Sequence, residues 1–72
     1  MPFYGPITRR NLIKGLKQFG YEGPYSGGKH EYLLKNGKRL TIPNPHKGDI
    51  STRFLGELLK EAGIPKEEWE NI

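Results

Sequence analysis

A chain of 72 residues without cysteine has no disulfide and no thiolate zinc site, and as one small domain it buries only roughly 60% of the surface that its unfolded form exposes. Its 12 Lys and Arg against 8 Asp and Glu give a net charge of +4, a balance that suits a polyanionic partner. No apolar run approaches the ~20 residues of a membrane span, so no membrane partner is expected, and a reducing cytoplasm is the expected compartment.

The segment Met1-Pro2-Phe3-Tyr4-Gly5-Pro6 has neither the basic nor the apolar region of a secretory signal, and residues 1–7 read as an irregular arm interrupted by Pro2, Gly5 and Pro6. The first helix is predicted from about Arg9 to Gln18, capped by the Thr8 hydroxyl. Leu12, Ile13, Leu16 and Phe19 recur at the spacing of one buried stripe, which leaves Arg9, Arg10, Lys14 and Lys17 mostly on the wet side. Gly20 is placed to take the left-handed conformation that ends a helix. Tyr21 to Tyr25 predicts a short strand, weakened by Gly23-Pro24, and Ser26-Gly27-Gly28 a flexible turn. A second strand follows over Lys29 to Lys35, then the two-residue hairpin signal Asn36-Gly37, then a return strand over Lys38 to Ile42 that Pro43 ends. On that strand Leu40 and Ile42 share one face, Arg39 and Thr41 the other. Residues 43–49 are a loop by composition. Ser51 caps a second helix with an apolar stripe of Phe54, Leu55, Leu58, Leu59 and Ala62, stopped by Gly63. Pro65 opens a short last helix within residues 65–72, with Glu67 and Glu68 in its favourable first turn and Trp69 and Ile72 to bury.

These elements predict a single α+β domain over residues 1–72, in the order helix, three antiparallel strands, helix, plus a short C-terminal helix. Two one-sided helices are buried most economically on one face of a three-stranded sheet. That is the architecture of the double-stranded-RNA-binding domain, and it leaves the other sheet face open. Leu12, Leu16, Leu40, Phe54 and Leu58 are expected to be buried together.

Charge is unevenly spread. Residues 1–53 hold ten Lys and Arg against three Asp and Glu, a balance of +7, and residues 54–72 hold two against five, a balance of −3. Within the basic part, Gly28-Lys29-His30 stands out. Glycine lets backbone approach a ligand closely. His30 is of the residue type whose unperturbed pKa lies near 7, suited to moving a proton at a ribose 2′-OH or at a leaving oxygen. Lys29 can steady charge on a phosphate. Lys14, Lys17, Lys35, Lys38 and Arg39 can track phosphates or simply solvate a helix face and a hairpin tip. Tyr21, Tyr25 and Tyr32 can stack on unpaired bases or fill the core of a small sheet. The second histidine, His46, sits in a proline-rich loop and is read as solvated or loop-bracing. No carboxylate–histidine cluster has metal-ligand spacing, so neither a metal nor another cofactor is expected.

Taken in order, Thr8 to Phe19 with Gly20-Tyr21, Gly28-Lys29-His30, Tyr32-Leu33-Leu34, Asn36-Gly37, Leu40-Thr41-Ile42-Pro43, His46 and Glu61-Ala62-Gly63-Ile64 resemble the HicA toxin family, also called YcfA-like, over roughly residues 8–64. The resemblance implies an endoribonuclease that cleaves mRNA without a metal, His30 as its catalytic residue, and a HicB-type antitoxin as partner. Where the family commonly has Ser, this chain has Lys29, able to bind a phosphate. A non-catalytic double-stranded-RNA-binding module is the alternative. Such modules open their second helix with a lysine cluster, whereas this chain has Ser51-Thr52-Arg53 there, with Asp49 upstream. A protein–protein adaptor would use the open sheet face but would leave Gly28-Lys29-His30 without a role.

Overall fold

Short hydroxyl side chains start both main helices. The computed structural model of the protein describes residues 5–43 and 48–72. Helix α1 spans Arg9–Lys17, and the Asn11 N–H donates to the Thr8 hydroxyl at 3.1 Å. Helix α2 spans Thr52–Ala62, and the Phe54 N–H donates to the Ser51 hydroxyl at 3.2 Å. Each cap satisfies one of the N–H groups that a helix start leaves without a partner. Gly63 ends α2 in the left-handed region, at φ 74°. The short helix α3, Lys66–Glu70, follows Pro65.

Between the helices lie β1 (Glu22–Gly27), β2 (His30–Lys35) and β3 (Lys38–Ile42), an antiparallel sheet in the order β1-β2-β3. Two-residue turns join them. Asn36 and Gly37 have φ of 51° and 82°, the pattern of a type I′ turn, and they fix the pairs Lys35↔Lys38 and Leu33↔Leu40. The first turn differs from expectation. Ser26 and Gly27 belong to β1, paired with Glu31 and His30, so the turn is Gly28-Lys29 rather than Ser26-Gly27-Gly28. Gly28 supplies positive φ, at 91°, in the first central position of a type II′ turn, whose twist matches that of the strands. His30 is thereby the first residue of β2, one later than the expected start at Lys29.

The alternation of β2 and β3 decides which sheet face is covered. Leu33, Leu40 and Ile42 are buried in one core with Leu12 and Leu16 of α1 and Leu55, Leu58 and Leu59 of α2. Both helices therefore pack on this face, as expected. The expected membership of the core needs one correction. Phe54 is 45% exposed. It sits on the rim of the α2 stripe in the first helical turn, and Ile7 and Ile50 fill the core at that end instead. These two residues form an antiparallel bridge, with Ile7 N–H to Ile50 O at 3.0 Å and the reverse bond at 2.7 Å. The arm expected to be irregular is thus tied down at Ile7. Trp69 of α3 is wholly buried and lies against Gly15 of α1, its ring stacked at 6.2 Å on that of Phe19.

Candidate functional site

Residues opposite one another in an antiparallel ladder share a face, and the register gives the uncovered face three rows. Nearest the first turn stand Gly27 of β1 and His30 of β2. Behind them come Tyr25, Tyr32 and Thr41, one from each strand, and then Glu22, Leu34 and Arg39. Tyr25 reaches this face through an irregularity. Between Glu22↔Leu34 and Tyr25↔Tyr32, β1 has the two residues Gly23 and Pro24 opposite Leu33 alone. A strand residue three positions on would ordinarily point the other way. The extra residue of this bulge restores it to the same side.

The rings are in contact. Tyr25 and Tyr32 lie 5.8 Å apart between centroids, tilted by 42°. The Arg39 guanidinium carbon stands 4.4 Å from the Tyr32 ring centre, within cation–π range. Gly27 makes room for that ring, because a Cβ there would come within 2.8 Å of two of its carbons. Tyr25 is 42% exposed, while Tyr32 is half-buried.

His30, Lys29 and Gly28 form the exposed corner of this face. Among the described residues nothing lies within 4 Å of the place a Gly28 Cβ would occupy, which leaves space for a ligand at the turn. Glu31, next to His30, pairs with Ile42 and points to the helix side, where it accepts from the Arg9 guanidinium at the start of α1. That pair ties the first turn of α1 to the strand beside His30, and it removes Arg9 from the solvated face on which the helical spacing had put it.

The structure groups the predicted site residues unequally. Gly28, Lys29 and His30 are contiguous, and Arg39 reaches toward them over Tyr32. Lys38 is at the opposite end of the sheet, paired with Lys35, which is five residues along β2 from His30 and so roughly 16 Å away at ~3.3 Å per residue, and its ammonium donates to the Glu61 carbonyl at the end of α2. Lys35, at the same end, stands over the Tyr21 ring at 5.7 Å. Lys14 and Lys17 are exposed on α1, in the helix layer, whereas the His30 side chain stands on the far sheet face. His46 lies outside the described residues. Of the three tyrosines read as stacking or core residues, Tyr21 is core, at 4% exposure, and Tyr25 is not. Burial, and more weakly the Glu61 carboxylate, raise the Tyr21 phenol above its ordinary pKa of 10.0. Among the described residues no three His, Cys, Asp or Glu side chains gather, and no helix is long and apolar enough to cross a membrane.

The sequence pattern that signals this face is weak, since a bulge, a glycine under a ring and an arginine across the sheet have no fixed spacing. What the fold defines is a small α+β protein with one sheet face covered by helices and one that, among the described residues, no helix covers. The family model described as HicA toxin of bacterial toxin-antitoxin matches residues 9–64, most of the chain, and the chain belongs to that family. It is accordingly a toxin of a toxin–antitoxin system, and the family implies an antitoxin as partner. No curated protein and no solved structure matches it.

Proposed function

We propose that this toxin is an endoribonuclease acting on mRNA, with His30 as its proton-transfer residue and a HicB-type antitoxin as its inhibitor. The observation that carries the reading is the position of His30. It is the only histidine among the described residues, exposed at the first position of β2, beside a glycine turn that no described side chain covers, in a chain of a toxin family. RNA chain cleavage by its own 2′-OH forms a bond from that oxygen to phosphorus and breaks the bond from phosphorus to the 5′-oxygen. One proton must leave the 2′-OH and one must reach the 5′-oxygen. An imidazole at this corner serves one of those two transfers. The Gly28-Lys29 turn offers backbone N–H groups and an ammonium to the phosphate oxygens, whose charge grows as the bond to phosphorus forms.

His30→Ala is expected to cut RNA cleavage about 10²- to 10⁴-fold, the usual worth of a positioned proton-transfer group. Folding should survive, because His30 is exposed and outside the core. Cleavage should be unchanged by a chelator. A folded His30→Ala protein that cleaves RNA at the wild-type rate would sink the reading and favour a non-catalytic RNA-binding module. The antitoxin is expected to be acidic where it meets the basic body, since opposite charge speeds capture. Co-purification with the product of an adjacent gene, and loss of cleavage in that complex, checks this part.

A further inference from the structure

We propose that Tyr25, Tyr32 and Arg39 form a stacking platform for one unpaired base of the RNA, beside the nucleotide that meets His30. The proposal rests on the reading of His30 as the site of RNA cleavage and says how the strand is held there.

Three observations carry it. First, Tyr25 exposes its ring, at 42%, on a sheet face that neither main helix covers. It is there because of the bulge at Gly23-Pro24, which turns it away from the core. A tyrosine recruited only for stability would gain more on the covered side. Second, the ring is backed rather than isolated. Tyr32 lies against it, and Arg39 lies on Tyr32. Gly27 lets the Tyr32 ring lie close to the sheet, since a side chain there would collide with it. An aromatic pair with an adjacent guanidinium offers a base a π-face and offers the same nucleotide's phosphate a fixed positive charge. Third, the strip has the right position. Tyr32 is two residues from His30 on the same face of β2, roughly 7 Å along the strand at ~3.3 Å per residue. That is about the reach from one nucleotide to its neighbour.

The occupant is single-stranded RNA. In a duplex the base faces are already stacked on one another, so only an unpaired base has one to give to Tyr25. The charge is consistent with this choice. Arg39 and Lys29 border the strip, and among the described residues the acid of the face is Glu22, in the row of Arg39 but on the far edge strand, with Leu34 of β2 between them.

The experiment measures the affinity of the full chain for a short single-stranded RNA carrying 2′-O-methyl riboses, which removes the attacking hydroxyl and keeps the probe intact. Tyr25→Leu, which keeps apolar bulk and removes the ring, is expected to weaken binding about 5- to 150-fold, the worth of one stacked base. Tyr25→Phe should bind like wild type, and both variants should melt like wild type because the residue is exposed. Arg39→Gln should weaken binding and lower the salt slope by about 0.7, the value for one phosphate on a single strand. Replacing one base of the probe by an abasic position should cost wild type the same factor and cost Tyr25→Leu little more. Tyr25→Leu and Arg39→Gln proteins that bind and cleave like wild type would overturn the platform while leaving His30 in place. A Tyr25→Leu protein that keeps RNA affinity but no longer captures its antitoxin would also overturn it, and would make the face a protein-docking surface. A wild-type chain that neither binds nor cleaves RNA would remove the proposed function and the platform together.

Discussion

At the scale of single residues, glycine does two different jobs here. Gly28, Gly37 and Gly63 provide positive φ in open space. Gly15 and Gly27 instead provide absence of bulk under an aromatic ring. Gly15 is inside α1, where replacing glycine by alanine ordinarily adds up to about 1 kcal/mol of helix stability. Here a Cβ would come within 2.5 Å of the Trp69 ring, and that ring is wholly buried. Overpacking of this kind costs about 1–3 kcal/mol, so the collision outweighs the propensity. Gly15→Ala is expected to lower the melting temperature, and thermal unfolding followed by circular dichroism checks the sign. None of this is legible beforehand. A glycine in a helical pattern reads as a mild defect until the partner across the core is known, and Trp69 is far away in sequence.

At the scale of elements, local chemistry made much of the fold legible. Thr8 and Ser51 cap the helices they were expected to cap, and Asn36-Gly37 makes the hairpin that fixes the β2–β3 register. Those signals act through neighbouring backbone groups, so sequence carries them directly. The first hairpin was harder, because any of the glycines at 27 and 28 can take a turn position and only pairing selects Gly28. The face of Tyr25 was not legible either, since period-2 reasoning fails across a bulge. His30 was singled out as a candidate by residue type and by resemblance, whereas its aromatic surroundings were not legible. Helix α3 is short, with five residues, and marginal by itself; its attachment therefore depends on Trp69. Trp69→Ala is expected to cost about 3–5 kcal/mol, the usual range for emptying a tryptophan site. Denaturant titration should show the midpoint falling accordingly. Phe54→Ser, by contrast, should lower the midpoint less, because that side chain is 45% exposed and has less apolar surface to lose.

At the scale of the whole molecule, charge and protonation give two bulk tests. The excess of positive charge over residues 1–53 predicts RNA binding that weakens with salt, with log affinity falling against log salt by about 0.7 per phosphate neutralised. An affinity that is flat from low to high salt would contradict it. Stability should also depend on pH at the alkaline end. The Tyr21 phenol is raised above 10.0, chiefly by burial, so the folded chain holds this proton more tightly than the unfolded one. The associated stability is complete below pH 10 and is lost as pH rises from there through the folded-state pKa. Chemical denaturation at pH 9 and above should show the decline, and Tyr21→Phe should flatten it.

The chain contains one tryptophan, and it is the residue packed against Gly15 and Phe19. Its emission therefore reports a single joint, the seating of the last helix on the first, and nothing at the His30 corner. If that joint opens as a separate low-energy unit, a red shift of fluorescence will precede the loss of sheet signal on heating. If the 72 residues unfold as one cooperative body, the two curves will superimpose. Antitoxin or RNA seated on the open sheet face should leave the emission of the native protein unshifted, so a shift on adding either would mean that the contact extends to the helix layer.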